Sequence, residues 1–261
     1  MTIRIGIGGW TYAPWRGTFY PDKWPQKREL EYAAGKLTAI EVNGTYYSGF
    51  KPATFAGWRD QTPDGFVFAL KASRYCTNRK VLAEAGESIA RFVGQGITEL
   101  GNKLGPILWQ FMATKKFDAD DFGAFLKLLP AEQDGIALRH AVQVRHESFA
   151  TPEFIDLCRA AKVAIVYARS DDYPAIADVT GDFAYARYEN AVEDEPLGYA
   201  PADLDSIAQS AKLWAAGGRP DGLPYIGDAH DAAPRDVFAF FISGVKVSNP
   251  VAACALIDRV K

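Results

Sequence analysis

Eight short apolar runs recur along the chain, most of them ending on a polar or charged residue. They are Ile3–Trp10, Thr38–Tyr47, Phe66–Lys71, Pro106–Phe111, Ala141–Glu147, Val163–Asp171, Phe183–Glu189 and Asp236–Ser243. Between most of them lie segments with apolar residues at helical spacing. Asp118 precedes the stripe Phe122, Phe125, Leu126 and Leu129, which Pro130 ends. Thr151-Pro152-Glu153 and Ser248-Asn249-Pro250 are capped starts with proline in the first turn. Ile89 to Leu104 reads as one longer helix weakened by Gly94 and Gly96, and Leu204 to Trp214 as another; Gln26–Ala34 and Thr54–Gln61 are the weaker first two. No helix is expected between strands six and seven, and Gly217–Arg235 reads as an irregular insert on the face away from any site. Strand, helix and strand in alternation predict one (β/α)8 TIM-like barrel over residues 1–261, its sixth helix short or missing.

In such a barrel the C-terminal strand ends build the site. Alternation sorts each strand into a helix-facing and an axis-facing set, because neighbouring side chains point to opposite faces. Where Ile40, Val42, Val142 and Val144 face the helices, Glu41, Asn43, Gln143 and Arg145 face the axis. The same rule puts Lys71, Gln110, Arg187 and Glu189 inside, with Gly6, Gly8 and Trp10 from strand one and Tyr167, Arg169 and Asp171 from strand six. Four of these are cations in a chain whose formal net charge is −3. Buried cations are costly unless paired or matched by an anion, so the expected site is a cationic mouth for an anionic ligand. The competing expectation is a purely structural layer, with Glu41 on Lys71 and Glu189 on Arg187 or Arg145. The loop after strand one adds Tyr12, Trp15, Phe19, Tyr20 and Trp24, either as a plug or as rings for a ligand to stack on.

Composition narrows the chemistry. Hydrophobic residues make up 48% and charged residues 23%, with no block of like charge that would mark a non-specific nucleic-acid binder. Cys76, Cys158 and Cys254 are scattered, which suits reduced thiols in the cytoplasm. A first strand opening at Ile3 leaves no room for a signal peptide, and no apolar run reaches membrane-spanning length. His140, His146 and His230 are too few and too scattered for a histidine zinc centre, and neither a metal nor a cofactor is expected; magnesium on Glu41, Asp171 or Glu189 is the weak exception. No GxSxG, P-loop or dinucleotide fingerprint occurs. Nothing fixes the oligomeric state.

Several segments together resemble the YecE-like family, domain of unknown function 72. They are Ile5–Pro21, Glu41–Tyr47, Phe66–Thr77, Lys103–Phe111, Val144–Phe149 and Tyr185–Tyr188, in the family's order. The resemblance implies a TIM-like barrel with a pocket at the strand ends and brings no assigned reaction. It places Trp10, Tyr12, Trp15, Glu41, Asn43, Thr45, Lys71, Gln110, Arg145 and Arg187 at signature positions. The chain departs from the family pattern at Gln143 (Glu in the family), Asn78 (His), Glu189-Asn190 (His-Gly), Arg169 (Asp) and Ile242-Ser243 (an Asn pair). Chemistry that needs those groups is put in doubt.

The expected function is therefore an enzyme of hydrolase or lyase type acting on a phosphate- or carboxylate-bearing small molecule or nucleotide fragment. Glu41 and Lys71 are the catalytic candidates, Arg145 and Arg187 clamp charge with Lys71, Asn43 and Gln110 orient, and Trp10, Tyr12 and Trp15 are ligand-binding candidates. A non-catalytic barrel that binds an anionic metabolite, and a repair-type phosphodiesterase that stacks an extruded base, remain open beside it. Lys71 is expected to stay charged through its neighbour Glu41.

Overall fold

A computed structural model of the chain describes residues 1–229, 232–242 and 244–261; His230 and Ser243, both weighed above, lie outside the described residues. Eight parallel strands close into a barrel. They are β1 (Ile3–Gly8), β2 (Ala39–Val42), β3 (Val67–Lys71), β4 (Leu104–Gln110), β5 (His140–Gln143), β6 (Ala164–Arg169), β7 (Phe183–Tyr188) and β8 (Asp236–Phe241). Sequential strands pair, and β8 returns to β1 through the register Ile3↔Val237 to Ile7↔Phe241. Strand β2 stops at Val42 because Gly44–Tyr47 winds into a helical turn (α2), so Asn43 and the tyrosines sit above the barrel rather than in it.

The barrel interior is filled unevenly. Gly6, Ala39, Ala69, Ala141 and Ala164 leave room that Phe183, Tyr185, Phe238 and Phe240 of β7 and β8 occupy. Gly6 is required by this closeness: a Cβ there would stand 1.9 Å from the Ala39 carbonyl oxygen. Outside, Ile5, Ile7, Ile40, Val42 and Val142 face the helices, as the alternation predicts.

The helix layer comprises α1 (Glu29–Ala34), α3 (Pro52–Asp60), α5 (Gly86–Val93), α6 (Ala119–Lys127), α7 (Pro152–Ala160), α8 (Pro201–Ala215) and α9 (Asn249–Val260); α4 (Arg74–Thr77) is a single turn after β3. Asp118 caps α6 by accepting from Asp121 N at 2.9 Å, and Thr151 caps α7 by accepting from Phe154 N at 3.3 Å. Ser248 precedes α9 without a side-chain cap bond. The helix expected from Ile89 to Leu104 is broken: α5 ends at Val93, and Ile97–Lys103 is a separate 3-10 stretch. Gly96 between them has φ +100, and a Cβ there would meet Pro52 at 2.7 Å. One element escaped the sequence pattern, the small hairpin Glu132–Gln133 with Ile136–Ala137, turned by Asp134 and Gly135 at positive φ.

No helix follows β6. The segment after Arg169 crosses the barrel side without one, and Asp178 anchors it by accepting from Ile226 N at 2.8 Å and Gly227 N at 3.0 Å of the long insert. That insert also lies beside the strand starts: Ala233–Arg235 and the N-terminal ends of β5 and β7, His140 and Phe183, share one cavity. It is on the face opposite the site, as expected. Among the described residues no helix is long and apolar enough to cross a membrane.

Candidate functional site

At the C-terminal strand ends lies an open cavity of about 800 Å³. Its floor is a network of charged and amide side chains centred on Arg187. Arg187 is 1% exposed and Glu41 is 0% exposed, on strands that are not neighbours. The guanidinium grips the carboxylate with two bonds, Nε to Oε2 and Nη2 to Oε1, both 3.0 Å. Tyr185 adds a third, its hydroxyl donating to Glu41 Oε2 at 2.7 Å. The remaining guanidinium nitrogen, Nη1, donates to both Gln143 Oε1 and Glu189 Oε1. Gln143 in turn donates to Glu189 at 3.0 Å and accepts from Gln110 at 2.6 Å. Burial alone would lower the Arg187 pKa, but Glu41 and Glu189 outweigh it and hold the cation above its ordinary value. Burial, and then the Glu41 charge, push the Tyr185 phenol well up, so it stays a donor.

Two cations above this floor are not matched in the same way. Lys71, at the end of β3, is 9% exposed, and among the described residues its ammonium has no hydrogen-bond or ion-pair partner. It lies over the Tyr46 ring, whose centroid is 4.3 Å from Nζ. Burial, then Arg187, depress its pKa to about 8; Arg145 adds to the fall, while Glu41 and Glu189 oppose it. Lys103 shows the alternative, since it is also buried but donates to the Arg59 carbonyl at 2.6 Å and to Thr62. Arg145 meets Glu189 only at 3.8 Å, stacks 4.2 Å over Tyr173, and has a buried Nε without an acceptor among the described residues. Burial lowers its pKa, with Glu189 opposing.

The walls are aromatic. Trp10 meets Trp58 of α3 edge-on at 5.2 Å, and Trp58 meets Phe50 at the same distance. Tyr46 and Tyr47 of α2 form the near wall, and Lys246 closes the far rim with its Nζ 4.6 Å over Tyr12. Glycine opens the floor, because a Cβ on Gly8 would press Asn43 Nδ2 at 2.9 Å.

Of the residues expected here, Trp10, Asn43, Lys71, Gln110, Arg145 and Arg187 line the cavity. Glu41 does not: it is spent beneath Arg187, and the expected pair with Lys71 is not formed. Without that pair, Glu41 still raises the Lys71 pKa but by less than burial and Arg187 lower it, and at about 8 the amine remains mostly protonated at neutral pH. Trp15 is fully buried and donates from Nε1 to the Lys246 carbonyl at 3.0 Å, so it plugs the barrel top and offers no face to a ligand. Tyr12 packs edge-on against Trp15 at 5.2 Å, beside the cavity rather than along it. Arg169 is a further correction. The register pairs Ala168 with Arg187 and Arg169 with Tyr188, so Arg169 points outward and binds Asp203 of α8 at 2.6 Å. Tyr167 also faces out, against Trp214, and Asp171 is exposed past the strand. Of the carboxylates weighed for magnesium, Asp171 lies apart, while Glu41 and Glu189 both engage Arg187. Lys246, Tyr46, Tyr47, Phe50 and Trp58 were missed as site residues, although Tyr46 and Tyr47 lie in the motif Glu41–Tyr47.

A family model described as "Protein of unknown function DUF72" matches residues 4–258. The chain belongs to this family. Among curated relatives, "UPF0759 protein YecE" of Escherichia coli K12 is 27% identical over 150 residues, 56% of this chain and 50% of that protein. The match thus spans about half the length of that relative. A crystal structure of a DUF72 family protein from Thermotoga maritima superposes with a TM-score of 0.75 at 19% identity, covering 99% of this chain and 98% of that one. "SacUVDE" superposes at 0.55 and 10% identity over 99% and 97% of the two chains, a likeness of fold alone.

Against the DUF72 pattern implied by the resemblance, the departures fall into two groups. Gln143 donates to Glu189 at 3.0 Å, so a carboxylate from the end of strand seven lies beside the position where the resemblance places one on strand five. Asn78 donates to the Tyr46 hydroxyl at 3.1 Å, steadying the ring under Lys71, and Ile242 adds an apolar patch to the cavity. Arg169 lies outside the site, and its departure leaves the cavity unchanged.

Proposed function

We propose that this DUF72 protein binds and turns over a small molecule bearing a carboxylate or phosphate, by hydrolase- or lyase-type chemistry. Arg145 and Lys246 hold the anion, Asn43 and Gln110 orient it, the aromatic wall takes its apolar part, and Lys71 is the reactive group. The observation that carries this reading is the unequal matching of charge: Arg187 has two carboxylates, while Lys71 and Arg145 are buried or half-buried without comparable partners. An anion completes that set at low cost because the cations are already desolvated and held in place. Glu41 serves as the residue that positions Arg187 and is not the acid or base.

The burial of both carboxylates also favours a second reading, a barrel that binds the metabolite without transforming it. Turnover of a ligand identified by co-purification separates the two.

The test of binding is a thermal melt of the wild type and Arg145→Met with phosphate, sulfate and citrate. A ligand at a hundredfold excess over its dissociation constant stabilises by about 2.7 kcal/mol. The wild type should gain and Arg145→Met should lose most of the gain. No gain with any of the three at tens of millimolar would remove the anion reading. Binding of duplex DNA with a steep salt slope would instead favour a nucleic-acid substrate.

A further inference from the structure

We propose that Lys71 is a nucleophile that forms an imine with a substrate carrying an aldehyde or ketone beside its carboxylate or phosphate. The proposal rests on the anion-binding reading above and names the substrate class for that site.

Three features of the geometry support it. The amine sits at the end of β3 on the floor of an open cavity, reachable by a small ligand yet shielded from bulk water. No carboxylate of the described residues lies within ion-pair distance of it, although Glu41 and Glu189 are part of the same floor; both are engaged by Arg187. The cations Arg187 and Arg145 face it, and a lysine that is desolvated and set beside other cations is activated as a nucleophile. Of the groups around Nζ, Arg187 and Arg145 favour the neutral amine, whereas Glu41, Glu189 and the Tyr46 ring favour the ammonium. Burial tips the balance toward a lower pKa, and the resulting value of about 8 leaves a minor but reactive amine fraction near neutral pH.

The step balances without a redox partner. The Nζ lone pair attacks the carbonyl carbon, the π pair moves to oxygen, and one N–H proton passes to that oxygen to give the carbinolamine. The C–O bond then breaks, the hydroxyl leaves as water with the second N–H proton, and the C=N bond forms. Protonation of the imine from solvent gives an iminium that accepts the electron pair of a C–H or C–C bond on the neighbouring carbon, as the proton passes to water or the cleaved fragment leaves as a carbonyl compound. The resulting enamine takes a proton back from water, and hydrolysis of the iminium frees Lys71, which is the lyase branch of the proposed function. Arg145 and Lys246 at the rim are placed to hold the acid group while the carbonyl reaches Lys71.

The experiment is borohydride trapping of the full chain with pyruvate or dihydroxyacetone phosphate, read by intact mass and peptide mapping. The two probes tell a carboxylate from a phosphate substrate. One adduct per chain on the Lys71 peptide, rising as pH passes about 8 and lost in Lys71→Arg and Lys71→Met, supports the proposal. Lys71→Arg keeps the charge and should keep the thermal shift with phosphate, which shows that the site is intact when trapping is lost. No adduct with either probe, while phosphate still raises the melting temperature, overturns the imine and leaves the anion reading standing. Adducts spread over exposed lysines and unchanged in Lys71→Arg overturn it equally. If neither phosphate nor either probe shifts the wild-type melt, the reading beneath it fails as well.

Discussion

A lysine held for chemistry should cost the fold stability, and Lys71→Met measures that cost. The side chain is 9% exposed, and its pKa falls from the ordinary 10.5 to about 8. That difference corresponds to about 3 kcal/mol against the charged form in the folded state. The Tyr46 ring 4.3 Å away returns about 1 kcal/mol of it. Methionine fills the space of the stem and carries no charge, so the variant should be more stable than the wild type by about 2 kcal/mol at pH 7, and for a chain of this size should melt roughly 4–8 °C higher. The gain has a signed pH dependence. Because the folded-state pKa lies below the unfolded one, the unfolded wild type binds the extra proton between about pH 8 and pH 10.5, and wild-type stability rises across that window. The penalty is whole below pH 8 and gone above 10.5, so the two proteins should converge there. Urea denaturation of both at several pH values between 7 and 10.5 is the assay. A variant less stable than the wild type at pH 7, or a difference that stays flat across the window, would refute the claim that Lys71 is an unmatched buried cation.

Three further outcomes follow from the same geometry. Glu41→Gln breaks a buried pair and leaves Arg187 with Glu189 alone, which should cost about 3 kcal/mol in urea denaturation. Arg169→Gln should cost under about 1 kcal/mol, because its partner Asp203 is on the surface, and should leave the thermal shift with phosphate unchanged. Gly6→Ala forces a Cβ into the Ala39 carbonyl, with a loss of about 3 kcal/mol or failure to express folded protein as the expected result, read by circular dichroism and melting.

The barrel was legible because its outer face is apolar along most strands. Ile40 and Val42, or Val142 and Val144, must meet helices, and that fixes Glu41, Gln143 and Arg145 on the other side. The rule failed on β6 for a physical reason. Val163 and Ile165 face out while Ala164 and Val166 face in, so both parities are apolar and carry no signal. Only the pairing of Ala168 with Arg187 decides the face, and pairing is a fact of three dimensions. The same limit explains the wrong partner for Glu41. A linear reading sees the adjacent strand and offers Lys71, but in register Glu41 stands opposite Ala69, and its carboxylate reaches across the barrel to β7. Trp15 illustrates the ambiguity of aromatics: its residue type suits a ligand platform as well as a plug, and only its complete burial distinguishes them. Lys246 was illegible because it opens a single 3-10 turn after β8, too short for periodicity to constrain which way a side chain turns.

The division of labour among the buried charges bears on what the cavity accepts. Glu41, Glu189 and Arg187 form one unit with a net charge of −1, and its bonds bridge β2, β5 and the end of β7 across the barrel top. Such a unit gives the site a fixed floor, since each carboxylate oxygen that turns away leaves a buried donor without a partner. Arg145 and a protonated Lys71 bring the five groups to +1, and Lys246 at the rim raises the mouth to +2. A phosphate dianion balances the mouth when Lys71 keeps its proton. A single carboxylate balances it when Lys71 has lost the proton, which is the state a nucleophilic amine requires. On the proposed reading, the charge that a ligand brings would select the protonation state of Lys71, so affinity for an anion and reactivity toward a carbonyl would be set by the same unmatched lysine.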